Sequence, residues 1–327
     1  MAVYTDVPDD ALASFIAEYD IGGLVSCKGI AEGVENSNYL VQTDAGRFIL
    51  TLYEKRVNEA DLPFFMALMT HLVGQGISTP LPVKARDGKA LRSLADRPAV
   101  LVTFLEGMSA RRPTVEQCGQ LGEAMARLHL AGQGFSSHTR ANALGPQGWR
   151  PLLERSGPAA NSVQAGLYGF ADEELLHLES RWPKDLQPKD LPRGIIHADL
   201  FPDNVFFLRG ELSGIIDLYF ACHDLLAYDL AICLNAWCFE IDYAFNQTKG
   251  RALIAGYERV RRLTDTEVEA LPTLCRGAAL RFMLTRLYDW LNVPAGALVK
   301  PHDPMAYYRR LRTHQKVESA AEYGVSR

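Results

Sequence analysis

Within Arg193–Asp217, RGIIHADLFPDNVFFLRGELSGIID, four polar residues have the types and spacing that phosphoryl transfer to a hydroxyl requires: His197, Asp199, Asn204 and Asp217. That chemistry is mostly positioning and charge neutralisation. One carboxylate must orient the attacking hydroxyl and take its proton. Oxygen ligands from Asn and Asp must hold magnesium, a hard cation. His-x-Asp-x-x-x-x-Asn, followed by Ile-Asp after a turn, supplies one group for each job. The bland alternative is a polar turn between strands.

The apolar runs Ile195-Ile196, Val205–Leu208 and Ile215-Ile216 are short and bounded by Pro, Gly and Asp, which predicts buried strands. Arg209-Gly210 would join the last two as a hairpin. Such a frame holds the four polar residues at strand ends and on one loop.

The rest of the 327-residue chain sets bounds. Its length predicts two domains or one domain of two lobes. A net charge of −5 without a Lys/Arg run argues against nucleic-acid and anionic-membrane partners. The N-terminus MAVYTDVPDD has no apolar core of a signal peptide, and Leu225–Phe239 is too short to span a bilayer. The expectation is a cytoplasmic protein. Its six cysteines include no Cys-x-x-Cys pair, so they read as reduced, buried thiols.

Before residue 105 the chain reads as strand-rich. A short helix over 9–19 precedes strands at Leu24–Ile30, Ser37–Gln42 and Arg47–Tyr53. The first connection, Gly29–Asn38, is rich in Gly, Asn and Ser that can donate to phosphate oxygens. It reads as a nucleotide loop or as an ordinary hairpin loop. A helix over 61–75, with Asp61 as N-cap, is followed by strands near 82–85 and 99–104. Leu105-Glu106-Gly107-Met108 resembles a hinge. Beyond it the chain reads as mostly helical, which divides it into 1–105 and 106–327, with a cleft between.

In the second part, Pro113-Thr114-x-x-Gln117 and Thr264-x-x-Glu267 are capping boxes that open helices. His129 reads as a helix-end core histidine. Residues 132–150 read as loop, 171–182 as helix, and the apolar 227–239 as a buried helix. Asp229 in its first turn is either a dipole-complementing acid or an anchor for the catalytic loop. The helix 274–291 puts Arg281, Thr285 and Tyr288 on one face, with Arg286 pointing elsewhere. Arg281 binds a substrate carboxylate or forms an inter-helix salt bridge. The polar tail from His314 is expected to fray.

IIHADLFPDNVFF followed by SGIID resembles the catalytic motif of the aminoglycoside phosphotransferase-like kinases. GIAEGVENSNYLV, FILTLYEKR, FACHDLLAYDLAICLNAWCF and RFMLTRLYDWL resemble the bacterial homoserine kinases within that class. The resemblance spans roughly residues 1–315. It implies an α+β, protein-kinase-like fold, with an antiparallel-sheet N-lobe for nucleotide and a mainly helical C-lobe for catalysis and substrate. It implies ATP and Mg2+, and transfer of the γ-phosphate to the hydroxyl of L-homoserine in threonine biosynthesis.

Carried over, Asp199 orients and deprotonates the hydroxyl, His197 braces the loop, and Asn204 and Asp217 hold the metal. Gly33, Asn36, Ser37, Asn38 and the hinge at Glu106 meet the nucleotide. Arg281, Tyr288 and Asp224 are candidates for the acceptor, with Glu240 and Asp242 as further acids for its ammonium. One departure stands out. Aligning FILT with the usual V-A-I-K puts Thr51 where such kinases carry a phosphate-gripping lysine. Lys55 lies about 13 Å further along the strand. The grip then falls to Asn36, Ser37 and the loop backbone, to a second magnesium, or to a base such as Lys28 or Arg56. The alternatives are a kinase of the same class acting on choline, methylthioribose or an aminoglycoside, or a non-catalytic nucleotide-binding module.

Overall fold

A computed structural model describes residues 5–30, 36–54, 58–183, 191–293 and 301–326. Helix α1 (Asp9–Ile16) turns Leu12, Phe15 and Ile16 inward. Strands β1 (Leu24–Gly29), β2 (Asn36–Thr43) and β3 (Gly46–Tyr53) then form an antiparallel meander that pairs Asn36 with Tyr53 and Asn38 with Thr51. After helix α2 (Leu62–Gly74) come β4 (Leu91–Leu94) and β5 (Arg97–Thr103), completing a sheet of order β1-β2-β3-β5-β4.

Two local expectations are corrected here. The stretch 82–85 is not a strand: it makes one isolated bridge, Pro82 to Val102, and a proline has no N–H for a ladder. The strand comes after the Asp87-Gly88 turn, and its own turn is Ala95-Asp96, both at positive φ. Asp61 is not a side-chain cap either. Asn58 caps the 3-10 turn Glu59–Asp61 ahead of α2, and the Asp61 carboxylate bonds Arg140 instead.

The chain then runs through β6 (Met108–Ser109), α3 (Val115–Gly132), α4 (Pro146–Ser156) and α5 (Leu167–Arg181). Next are β7 (Arg193–Ile196), β8 (Val205–Leu208), β9 (Glu211–Ile215) and β10 (Cys222–Leu225). Helices α6 (Leu226–Trp237), α7 (Gln247–Glu258), α8 (Asp265–Leu291) and α9 (Met305–His314) complete it. Both capping boxes form, at the starts of α3 and α8. Helix α8 runs through Pro272, so the capping box and the predicted helix 274–291 belong to one element. Helix α4 lies partly in the stretch expected as loop, with Pro146 in its first turn.

Helix α6 is buried on nearly every side and forms the centre of the helical block. A second cluster joins the blocks: Leu62, Phe65 and Leu68 of α2 and Val100 of β5 meet Leu128, Ile195, Ile215 and Leu218. The sheet is therefore packed onto the strands that carry the polar loop. Among the described residues no helix is long and apolar enough to cross a membrane.

The C-terminal tail does not fray. His314, Tyr323 and Val325 are buried, because His314 Nε2 bonds Asn235 Oδ1 (3.0 Å) and its Nδ1 bonds the Tyr323 hydroxyl (2.7 Å). The Asn235 amide nitrogen donates to two carbonyls, so its oxygen accepts and His314 is the neutral Nε2–H tautomer. Burial, aided by Arg310 and Arg276, pushes His314 down to about 3. Burial lowers His197 as well. In the unfolded chain such groups bind a proton near pH 6.5. Below that pH the unfolded state holds more protons, so stability falls as pH falls, by about 1.4 kcal/mol per pH unit for each histidine. The melting temperature is expected to drop from pH 7 to pH 5, and His314→Gln to flatten that slope. A variant slope equal to that of the unaltered protein would contradict this.

Candidate active site

Strand β7 delivers the chain into the loop 197–204, and the β8–β9 hairpin returns it to Asp217. The hairpin turns at Arg209-Gly210, both at positive φ. Ile216 N–H donates to the Asn204 carbonyl at 2.9 Å, which places the backbones of the two predicted metal ligands side by side. Asn204 Nδ2 donates to the Asp199 carbonyl at 2.8 Å and lies 3.4 Å from the Asp199 carboxylate. With its nitrogen committed, Asn204 offers Oδ1 to a cation. Asp217 adds a carboxylate, and this all-oxygen pair suits a hard cation that completes its shell with water and phosphate. Among the described residues no group of three or more His, Cys, Asp and Glu is placed to hold a metal ion.

His197 is fully buried. Its Nδ1 accepts from Asp199 N–H (3.3 Å), so its Nε2 carries the hydrogen and donates to the Ile216 carbonyl (2.9 Å). It is a positioning residue that ties the Asp199 backbone to the strand end before Asp217. Two residues of this web, Ala198 (φ 63°) and Asp217 (φ 62°), hold the left-handed conformation, which costs roughly 1–3 kcal/mol each outside glycine.

The surroundings hold Ala198 in that state from both sides. Asp229, buried in the first turn of α6, accepts from the N–H groups of His197 and Ala198, both at 2.9 Å, and from His129 Nε2 at 3.1 Å. Burial alone would raise its pKa. The hydrogen bond and charge of His129, with the His197 contacts, outweigh burial and hold the carboxyl below its ordinary value. Both sequence readings thus meet: Asp229 is the anchor of the loop, and His129 is a buried histidine whose other nitrogen meets the Tyr257 hydroxyl at 2.8 Å.

On the opposite side Arg281 donates from Nη1 to the Ala198 carbonyl. It is 1% exposed and stacks on Phe282 at 4.3 Å. This corrects its assignment as a substrate ligand: Arg281 supports the loop from beneath. Asp224 is corrected likewise. It is 8% exposed and accepts from Asn142 Nδ2 (2.8 Å), Leu225 N (2.8 Å) and Arg193 Nη1 (3.4 Å), so its oxygens serve the β10–β7 ribbon. The Tyr288 ring lies under the Arg155 guanidinium of α4 at 4.0 Å.

On the sheet side, Asn36, Asn38, Thr51 and Tyr53 share the face of β2 and β3 that meets the segment just after Asp217, with the Tyr53 hydroxyl bonding that of Tyr219 (2.9 Å). Thr51 donates to Asn38 Oδ1 at 2.8 Å, and the Asn36 Oδ1 lies 3.4 Å from Glu54 N. Burial, then the charge of nearby Asp217, pushes Tyr219 up to about 12, so its hydroxyl stays neutral. Neutral hydroxyls and amides therefore fill the place of the usual lysine. Ser37 is on the other face, fully buried, where it donates to Glu54 Oε1 (2.7 Å) and accepts from Thr5 N (3.1 Å). Its assignment to the phosphates is corrected, since alternate residues of a strand face opposite ways. Gly33, Lys55 and Arg56 lie outside the described residues, and Lys28 is exposed on β1.

At the hinge, Glu106 pairs its carboxylate with Arg47 (2.6 Å), and its carbonyl accepts from Ser213 Oγ (2.8 Å). Gly107 has φ 145°, and a Cβ there would collide with Ser213 Oγ, so only glycine lets the two blocks approach. Sequence reading missed a second strap. Arg140 donates from Nε to Asp61 (2.8 Å) and from Nη1 to the carbonyls of Phe220 (3.3 Å) and Ala221 (3.1 Å). It fastens the start of α2 to the segment after Asp217. A lone arginine in a loop carries no periodic or spacing signal.

Residues 26–263 match the model of the phosphotransferase enzyme family. The chain belongs to that family. Relatives of the phosphotransferase include a homoserine kinase of Azorhizobium caulinodans, 63% identical with 100% of both chains covered. A homoserine kinase of Chelativorans sp. strain BNC1 is 61% identical over 99% of each. Among solved structures, an amicoumacin kinase in complex with AMP-PNP, Ca2+ and Ami superposes with a TM-score of 0.72 at 16% identity, covering 95% of this chain and 94% of that one. The phosphotransferase therefore has the kinase-like fold, an antiparallel-sheet lobe and a helical lobe.

Proposed function

We propose that this protein transfers the γ-phosphate of ATP to the side-chain hydroxyl of L-homoserine, giving O-phospho-L-homoserine for threonine biosynthesis. The observation that carries the acceptor is the full-length identity of 63% and 61% to proteins named homoserine kinase. The web joining Asp199, Asn204 and Ile216, the residue before Asp217, supports the chemistry.

The division of labour falls at 105/106, with nucleotide on the sheet and adenine at the hinge. The acceptor hydroxyl lies on Asp199, whose carboxylate takes the proton as the oxygen attacks the γ-phosphorus. The bond from that phosphorus to the bridging oxygen breaks, and ADP leaves. Asn204 Oδ1 and Asp217 would hold Mg2+, which supplies charge neutralisation to the phosphates. Without a strand lysine, Asn36, Asn38 and the backbone beside them carry more of the phosphate contact. The setting is the cytoplasm, which suits six free cysteines.

The test is ADP release with magnesium-ATP and L-homoserine, choline, methylthioribose and kanamycin in turn. Turnover confined to homoserine is expected. Turnover on another acceptor would overturn the substrate, and ATP binding without turnover on any would favour the non-catalytic module.

A further inference from the structure

Two arginines beside the catalytic loop make no close ion pair among the described residues, although Asp199 and Asp203 act on one of them, Arg286, through space. Arg286 of α8 lies 4.5 Å from the centre of the Tyr307 ring and 6.0 Å from that of Phe201. Arg310 of α9 lies 4.6 Å from the same Tyr307 ring and 5.4 Å from Phe239. Phe201 follows Asp199 by two residues and packs on Phe282 at 4.9 Å and on Tyr307 at 6.4 Å. This aromatic floor is thus continuous with the base.

Arg286 has no ion pair or hydrogen bond among the described residues. Arg310 acts on the Tyr307 hydroxyl through its charge and a side-chain hydrogen bond. Even so, Arg310 Nε is buried without a partner of hydrogen-bonding geometry among the described residues. Burial pushes Arg286 below its ordinary value and Arg310 adds to this, while Tyr307, Asp199 and Asp203 pull it back. Two guanidinium groups on one ring repel each other, and ring attraction of about 0.5–2 kcal/mol apiece does not replace an ion pair. Partly buried charge is ordinarily paired.

We propose that Arg286 and Arg310 bind the α-carboxylate of the acceptor amino acid while its hydroxyl rests on Asp199. This rests on the homoserine reading above. In homoserine three carbons separate hydroxyl oxygen and carboxylate, a reach of about 5 Å from bond lengths. That brings the carboxylate from Asp199 to the floor formed by Phe201 and Tyr307. Guanidinium groups are suited to bidentate carboxylate binding, and the pair selects α-amino acids over amino alcohols. The other anion in reach is the γ-phosphate, which every acceptor would share.

The experiment compares L-homoserine with its carboxamide, which keeps the hydroxyl and ammonium but loses the negative charge. Arg286→Gln is expected to raise KM for homoserine by about 100-fold, the usual scale for truncating one side of a buried charge pair. KM for ATP should stay within about twofold, and the carboxamide, whose oxygen can still accept from the guanidinium, should lose clearly less than homoserine does. Arg310→Gln should act in the same direction, and Arg286→Lys should recover about tenfold of the loss. Equal losses on homoserine and carboxamide, or no rise in KM, would overturn the inference while turnover of homoserine by the unaltered protein stands. Absence of that turnover would overturn the functional reading beneath it.

Discussion

Asp199→Asn is expected to lower kcat by roughly 10³–10⁴-fold, the upper range for loss of a positioned general base. ATP binding should be nearly unchanged. Asp199 is held by its backbone, through its N–H to His197 Nδ1 and its carbonyl to Asn204 Nδ2. These backbone anchors hold the loop, and the carboxylate's own contact with Asn204 Nδ2 is long, at 3.4 Å. Asparagine keeps the size and a hydrogen bond to the acceptor hydroxyl but cannot take its proton. Steady-state kinetics checks this. A kcat within tenfold of the unaltered protein would remove Asp199 from the role of base.

Asp229→Asn acts at a distance from the substrate and is expected to be nearly as damaging. Each carboxylate oxygen of Asp229 accepts a backbone N–H, and Oδ2 also accepts from His129. An amide offers one oxygen, so its NH2 would face a backbone N–H in a fully buried place. A buried donor left without an acceptor costs about 1–3 kcal/mol, and more where a charge was compensated. The conformation of Ala198, which needs Asp229 on its N–H and Arg281 on its carbonyl, would relax. The expected result is a loss of about 2–4 kcal/mol in denaturant unfolding. It should come with a fall in kcat of about 100-fold and a smaller change in KM for ATP. Unaltered stability with unaltered kcat would contradict the anchoring role.

What the sequence revealed was local. Capping boxes, the Arg209-Gly210 hairpin and the spacing of His197, Asp199, Asn204 and Asp217 are set by neighbours a few residues apart, and each appears where its pattern predicts it. The errors share another cause. Arg281 and Arg286 are five residues apart on one helix, yet one lies beneath Ala198 and the other over Phe201. The partner that decides this for Arg281 is 83 residues away in sequence. Ser37 reads as a phosphate ligand by composition, but strand alternation turns it toward Thr5 and Glu54. The tail looks polar, yet Tyr323 and Val325 pack against the helical block, a contact that only the tertiary fold specifies. Thr51 shows the converse: the departure from the lysine pattern was legible, while its consequence, a hydroxyl network reaching through Asn38, needed the sheet register.

In the proposed reaction Asp199 directs an acceptor hydroxyl, and no other group of homoserine, at the γ-phosphorus. Phosphorus NMR of the product from magnesium-ATP and L-homoserine tests it most directly. The expected result is a single new resonance of a phosphate monoester on the side-chain oxygen, stable to hydroxylamine and absent with Asp199→Asn. A hydroxylamine-labile acyl phosphate, or free phosphate released from ATP with no phosphorylated amino acid, would contradict it.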